Sequence, residues 1–208
     1  MGYSIADKSI NLVVSSLMLA VSPILISTWE SHHRESTPEL LGQITRLTLL
    51  LIIPMVAGIS TLAVPVLKIL ATEAYLPGAI VLPWVSLGAL LYGLSLQAYT
   101  GLIIAKKTVV MARNYILAGA VNVLMNIVLV PRFGFVVAAV NTAVAYGLLL
   151  AMNVLSANRY FPWLFPWRSL WNGLLASGGM VLMIVGMMTY AHQGVLVLAL
   201  TVLAGMVV

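Results

Sequence analysis

Residues 112–155 read ARNYILAGAVNVLMNIVLV-PRFG-FVVAAVNTAVAYGLLLAMNVL, and only Arg113 and Arg132 in that stretch are charged. Ala112 to Val130 is one apolar run and Phe135 to Leu155 is another. Each has the roughly 20 residues a helix needs to cross the hydrocarbon core of a bilayer. Between them, Pro131-Arg132-Phe133-Gly134 brings together the two residues that most often break a helix. The stretch predicts two antiparallel spanning helices joined by a tight turn.

The same pattern extends in both directions. Apolar runs at Ile10 to Trp29, Leu47 to Leu67 and Gly78 to Ala105 predict three spans before the hairpin. Leu170 to Tyr190 and Val195 to Val208 predict two after it. A polar loop is expected from Glu30 to Gln43, with His32, His33 and Arg34 in it. The segment Asn158 to Arg168 carries Tyr160, Phe161, Trp163, Phe165 and Trp167, the composition of an aromatic belt at headgroup depth. The last run, fourteen residues, would rise only about 21 Å as a helix, short of the core. It reads as a truncated span, and the chain as a fragment.

Composition agrees with this reading. Of 208 residues, 62% are hydrophobic and 7% are charged. A soluble domain carries charge at about a quarter of its positions, so there is too little polar material here for a water-facing surface. That excludes a soluble globular enzyme, a disordered chain and a typical nucleic-acid binder. The fold class is an all-α integral membrane protein of about seven transmembrane helices. The net charge of +5 is a matter of topology. Arg34, Arg46, Lys106, Lys107, Arg113, Arg159 and Arg168 fall on one side, and Lys8, Lys68 and Arg132 on the other. The positive-inside rule places the first group in the cytoplasm.

Chemistry is limited. No Asp, Glu, Lys or Arg lies at the centre of a span, there is no cysteine, and the adjacent His32 and His33 lack metal-ligand spacing. No catalytic residue, metal site or cofactor is expected. What the spans do hold is uncharged polar groups at helical spacing. Asn122 and Asn126 share a face with Tyr115 and Gly119. Gln97 lies between Gly93 and Gly101, with Tyr92 and Tyr99 nearby. Such groups must face protein or a wet cavity, since lipid leaves them unsatisfied. Two readings stand side by side: interhelical hydrogen bonding, or the lining of a cavity. Asn141 and Tyr146 are further cavity candidates. Ala139, Ala143 and Gly147 form a small-residue line suited to close helix packing.

Several of these stretches together resemble a known family. Gly2-Tyr3-Ser4-Ile5-Ala6 is similar to a Gly-Tyr-x-x-Ala helix entry, and Pro54 to Gly58 to a Pro-x-x-x-Gly helix. The series Gly101, Lys106-Lys107-Thr108, Asn122 to Asn126, Leu129 to Gly134 and Ala138-Ala139 matches a longer signature in order and spacing. Val136-Val137 departs from it where glycine is often seen. The sequence resembles the C-terminal half of polysaccharide flippases of the O-antigen and teichoic-acid type. These belong to the same superfamily as the multidrug and toxic-compound extrusion (MATE) transporters and the lipid II flippase.

The resemblance implies a MATE-like transporter of two helical lobes around a cavity. Residues 1–157 would be five helices of the C-terminal lobe. Residues 158–208 would be the aromatic loop and two additional helices, the last one truncated. The implied partners are a lipid-linked oligosaccharide (an undecaprenyl-pyrophosphate glycan), membrane lipids and a missing N-terminal lobe, with no nucleic acid. The implied setting is polysaccharide biosynthesis, including that of lipopolysaccharide, at the bacterial inner membrane. Gln97, Tyr99, Asn122, Asn126 and Asn141 are the candidate substrate-cavity residues, and no bond is made or broken. The alternatives are a multidrug or cation exporter of the same superfamily, or a non-functional remnant. A membrane enzyme such as a glycan polymerase would need a large outer loop with catalytic Arg or His, and every predicted outer loop is short.

Overall fold

A computed structural model of the protein describes residues 2–31, 34–70 and 73–190. It is a bundle of α-helices: α1 (Gly2–Glu30), α2 (Thr37–Thr61), α3 (Ala63–Leu70), α4 (Leu82–Ile104), α5 (Thr108–Phe133), α6 (Phe135–Ala157) and α7 (Trp167–Tyr190). A 3-10 segment, Glu73–Val81, leads into α4. Six candidate membrane spans lie among the described residues: Leu12–Glu30, Thr37–Thr61, Leu76–Ile104, Thr108–Phe133, Phe135–Ala157 and Trp167–Thr189. The expected seventh span, Val195 to Val208, and the His32–His33 pair lie outside the described residues.

Helix ends differ from expectation where proline decides them. The second span begins at Thr37, ten residues before Leu47, because Pro38 stands in the first turn, where its missing N–H costs nothing. The expected polar loop is thus shorter, and Glu39, Gln43 and Arg46 ride on the helix. That span also stops sooner. Pro65 cannot donate to the Thr61 carbonyl and its ring crowds it, so α2 ends at Thr61 and α3 restarts after Leu62. Pro54, by contrast, is accommodated inside α2, and Pro83 opens α4 rather than kinking it. The α5–α6 turn is tighter than expected. The helix runs through Pro131 to Phe133, and Gly134 alone reverses the chain with φ +80, a left-handed conformation that a β-carbon disfavours.

The packing centres on α4. Apart from Gln97, its residues are apolar, aromatic or small all round, which suits a helix surrounded by others. Gly93 lets α1 approach: a β-carbon there would stand 2.8 Å from Val14 Cγ2. A β-carbon on Gly88 would stand 3.5 Å from the Ala143 Cα of α6, and Ala139 and Ala143 are buried, so the small-residue line of α6 packs on α4. By contrast α5 presents most of its surface outward, including Val109, Ile116, Leu124 and Ile127. Large apolar side chains cover the outside of the whole bundle, as lipid contact requires.

The segment 158–166 folds back across one end of the bundle. Phe161 is 1% exposed, in a cluster with Leu25, Leu41 and Ile44. The Trp163 indole N–H donates to Thr45 Oγ1 at 3.0 Å. Gly42 makes room for this strap, since a β-carbon there would meet the Leu164 carbonyl oxygen at 2.9 Å. Tyr160 and Trp167 stay exposed.

Candidate functional site

The hairpin of α5 and α6 carries the polar groups that the apolar spans cannot hide individually. Asn126 Nδ2 donates to Asn122 Oδ1 within α5 at 3.1 Å, and Asn141 Nδ2 of α6 donates to Asn126 Oδ1 at 2.9 Å. Three of the expected site residues therefore form one chain of amides across the two helices. Asn122 Nδ2, at the end of that chain, is buried and has no hydrogen-bond partner.

Beside it runs a groove of about 170 Å³, lined by Tyr115, Gly119 and Asn122 of α5 and by Thr142, Ala145 and Tyr146 of α6. Gly119 keeps the floor open, because a β-carbon there would meet nothing within 4 Å. Tyrosines frame it. Tyr92 and Tyr146 lie with ring centroids 5.0 Å apart, and Tyr99 meets Tyr115 edge-on at 6.2 Å. Tyr99 thus belongs to this region through Tyr115.

Gln97 is placed elsewhere. It is 0% exposed, between α4 and α2, and its Nε2 donates to Thr48 Oγ1 at 2.6 Å. Thr48 in turn donates to the Ile44 carbonyl at 2.9 Å. With the single hydroxyl proton of Thr48 committed there, Gln97 Oε1 is left buried without a donor.

A second amide network escaped the sequence reading. Asn114 Nδ2 donates to Asn153 Oδ1 at 3.0 Å and to Ser156 Oγ at 3.4 Å, while Asn153 Nδ2 donates to the Ser95 carbonyl of α4 at 3.3 Å. Arg113 closes the set on Asn114 Oδ1 at 3.3 Å. The signal was present: Asn114 stands twelve residues before Asn126, and Asn153 twelve after Asn141. In an antiparallel hairpin turning at Gly134, residues equally far from the turn face each other. The two amide pairs are therefore rungs of one ladder.

Chemically, apart from Arg113 at the edge of the second network, these groups donate and accept hydrogen bonds without carrying charge. The groove contains no carboxylate, imidazole or ammonium to move a proton. Among the described residues no cluster of His, Cys, Asp or Glu could hold a metal ion. The arrangement can bind hydroxyl-rich or amide-bearing groups and hold helices in register.

The fold defines a multi-pass membrane protein, a bundle of apolar helices with six candidate spans among the described residues. A solved structure with this fold is "Lipid II flippase MurJ, inward closed conformation", matched with a TM-score of 0.79 at 18% sequence identity. The match covers 99% of this chain and 44% of that one, so the chain spans less than half of that protein's length. No protein-family model and no curated protein matches the sequence.

Proposed function

We propose that this chain is one helical lobe of a flippase that carries a lipid-linked oligosaccharide across the bacterial inner membrane during surface polysaccharide biosynthesis. The observation that carries this reading is the flippase-type fold, shared along nearly the whole chain. A second helical lobe, corresponding to the length of the neighbour that this chain does not cover, would complete the pathway. The lobes rock between inward-open and outward-open states while the lipid tail stays in the bilayer.

The side chains support a division of labour. The Asn122–Asn126–Asn141 chain and the tyrosines around it offer uncharged donors, acceptors and ring faces, which suit the sugar portion of such a substrate. The phosphates need cations; Arg46, nine residues inside the second span and exposed, is the one basic group more than two turns from an end of a described span, so most of those cations would come from the other lobe. Gln97 reaches the pathway only when α2 and α4 separate. Its unsatisfied Oε1 is a polar group whose cost falls if water or substrate enters between those helices.

The test uses the whole protein in its native cell. Asn122→Leu, Asn126→Leu and Gln97→Leu are each introduced, and surface polysaccharide is measured against protein level. A loss of polysaccharide with accumulation of the lipid-linked precursor supports the reading. Unchanged polysaccharide in all three variants at normal protein level removes these residues from the pathway. Drug hypersensitivity on deletion, without a glycan defect, would instead make the protein a drug exporter.

A further inference from the structure

A second cavity lies at the membrane end shared by α1 and α4. It measures about 390 Å³ and is lined by Ile26, Trp29 and Glu30 of α1 with Ile103, Ile104 and Lys106 of the α4 terminus. Glu30 is the last residue of α1, and α4 ends at Ile104, so both helices reach the interface here. The cavity floor is apolar and its rim carries one carboxylate and one ammonium. Both charged residues are exposed.

The backbone adds an independent observation. The Lys106 N–H donates to the Ile103 carbonyl at 2.9 Å, and the Lys107 N–H to the Leu102 carbonyl at 2.9 Å. This paired bonding is the Schellman arrangement, in which the residue after the cap adopts a left-handed conformation and is usually glycine. Here it is Lys106, with φ 56, the one non-glycine residue of positive φ among the described residues. A β-carbon is disfavoured in that region, so glycine would be easier to accommodate. The turn also separates two adjacent lysines. Lys107 lies 5.2 Å over the Tyr160 ring, while Lys106 lines the cavity.

We propose that this cavity binds the headgroup of a zwitterionic phospholipid of the phosphoethanolamine class. Lys106 takes the phosphate, and the Glu30 carboxylate accepts N–H bonds from the ammonium. The acyl chains run down the apolar faces beside Ile26 and Ile103. A lipid source, rather than a soluble phosphoester, follows from the apolar floor and from the position at the ends of two spans. An anionic headgroup without an ammonium would meet Glu30 unfavourably. A choline headgroup has no N–H to donate.

The test uses the purified full chain, exchanged into equal amounts of phosphatidylethanolamine, phosphatidylcholine and phosphatidylglycerol with identical acyl chains. Retained lipid is counted by native mass spectrometry. Phosphatidylethanolamine should be favoured about five-fold, the upper range for a charge contact at a water interface. Glu30→Gln should bring the ratio over phosphatidylcholine close to one. Lys106→Gly should remove the preference while keeping or raising the thermal unfolding midpoint, because it relieves the strained turn. Should that variant not fold, Lys106→Asn, which also tolerates the left-handed region, takes its place. Equal retention of the three lipids by the wild type overturns the proposal, as does a preference that survives loss of the Lys106 side chain. Soluble glycerophosphoethanolamine in ten-fold excess should fail to displace the lipid, and displacement would overturn the lipid assignment.

Discussion

The Asn114–Asn153 rung makes a prediction whose size can be worked out. Asn153 accepts from Asn114 and donates to the Ser95 carbonyl, and both side chains are 0% exposed. An interhelical hydrogen bond in a membrane protein is worth about 0.6 kcal/mol on average, so Asn153→Leu forfeits about 1.2 kcal/mol in bonds. It also strands Asn114 Nδ2, whose remaining acceptor, Ser156 Oγ, stands at 3.4 Å. A stranded buried donor adds about 1 kcal/mol. The expected cost is therefore about 2 kcal/mol. Asn114→Leu strands Asn153 Oδ1 in the same way and should cost about the same. The double variant leaves neither amide stranded and gains apolar contact, so it should cost about 2 kcal/mol rather than the roughly 4 kcal/mol of independent sites. Equilibrium unfolding in a detergent–denaturant titration measures all four corners of the cycle. Additive costs in the double variant would refute the coupling, and with it the register of the hairpin.

Other outcomes follow from close approaches and from topology. Gly93→Ala places a β-carbon 2.8 Å from Val14 Cγ2 and should destabilise the bundle by about 1–3 kcal/mol; adding Val14→Ala should recover most of that in the same unfolding assay. Gly42→Ala drives a β-carbon against the Leu164 carbonyl at 2.9 Å, and a backbone atom cannot rotate aside. The strap should lift, seen as a red shift in Trp163 fluorescence when the other tryptophans are replaced by Phe. An unshifted spectrum would mean that the strap is not seated on α2. For orientation, a cysteine at Lys107 should be shielded from an impermeant thiol reagent in intact cells and one at Arg132 should react. The opposite pattern would invert the topology.

Much of the architecture is legible in the chain because lipid imposes a simple rule. Every backbone polar group in the bilayer must be satisfied within its own helix, so a long uncharged run leaves few other outcomes. The spans at Ala112 to Val130 and Phe135 to Leu155, and the reversal between them, follow from that rule. Helix termini were harder to read. Proline permits a helix start, an interior position or a stop, and only its neighbours choose among these. Pro38, Pro54 and Pro65 do all three in turn.

The candidate site shows the same division. The i, i+4 spacing of Asn122 and Asn126 puts them on one face without knowledge of any other helix. It does not reveal that Asn141 completes their chain, that Asn122 Nδ2 is left over, or that Gln97 turns toward Thr48 on a different side of α4. Those outcomes depend on which helices meet and at what rotation. Membrane residence, the rough positions of the crossings and the residues that lipid would reject follow from the length and polarity of single segments, and so can be read along the chain. Which rejected groups satisfy one another, and which remain without a partner, depends on helix crossing geometry and register, which no single segment contains.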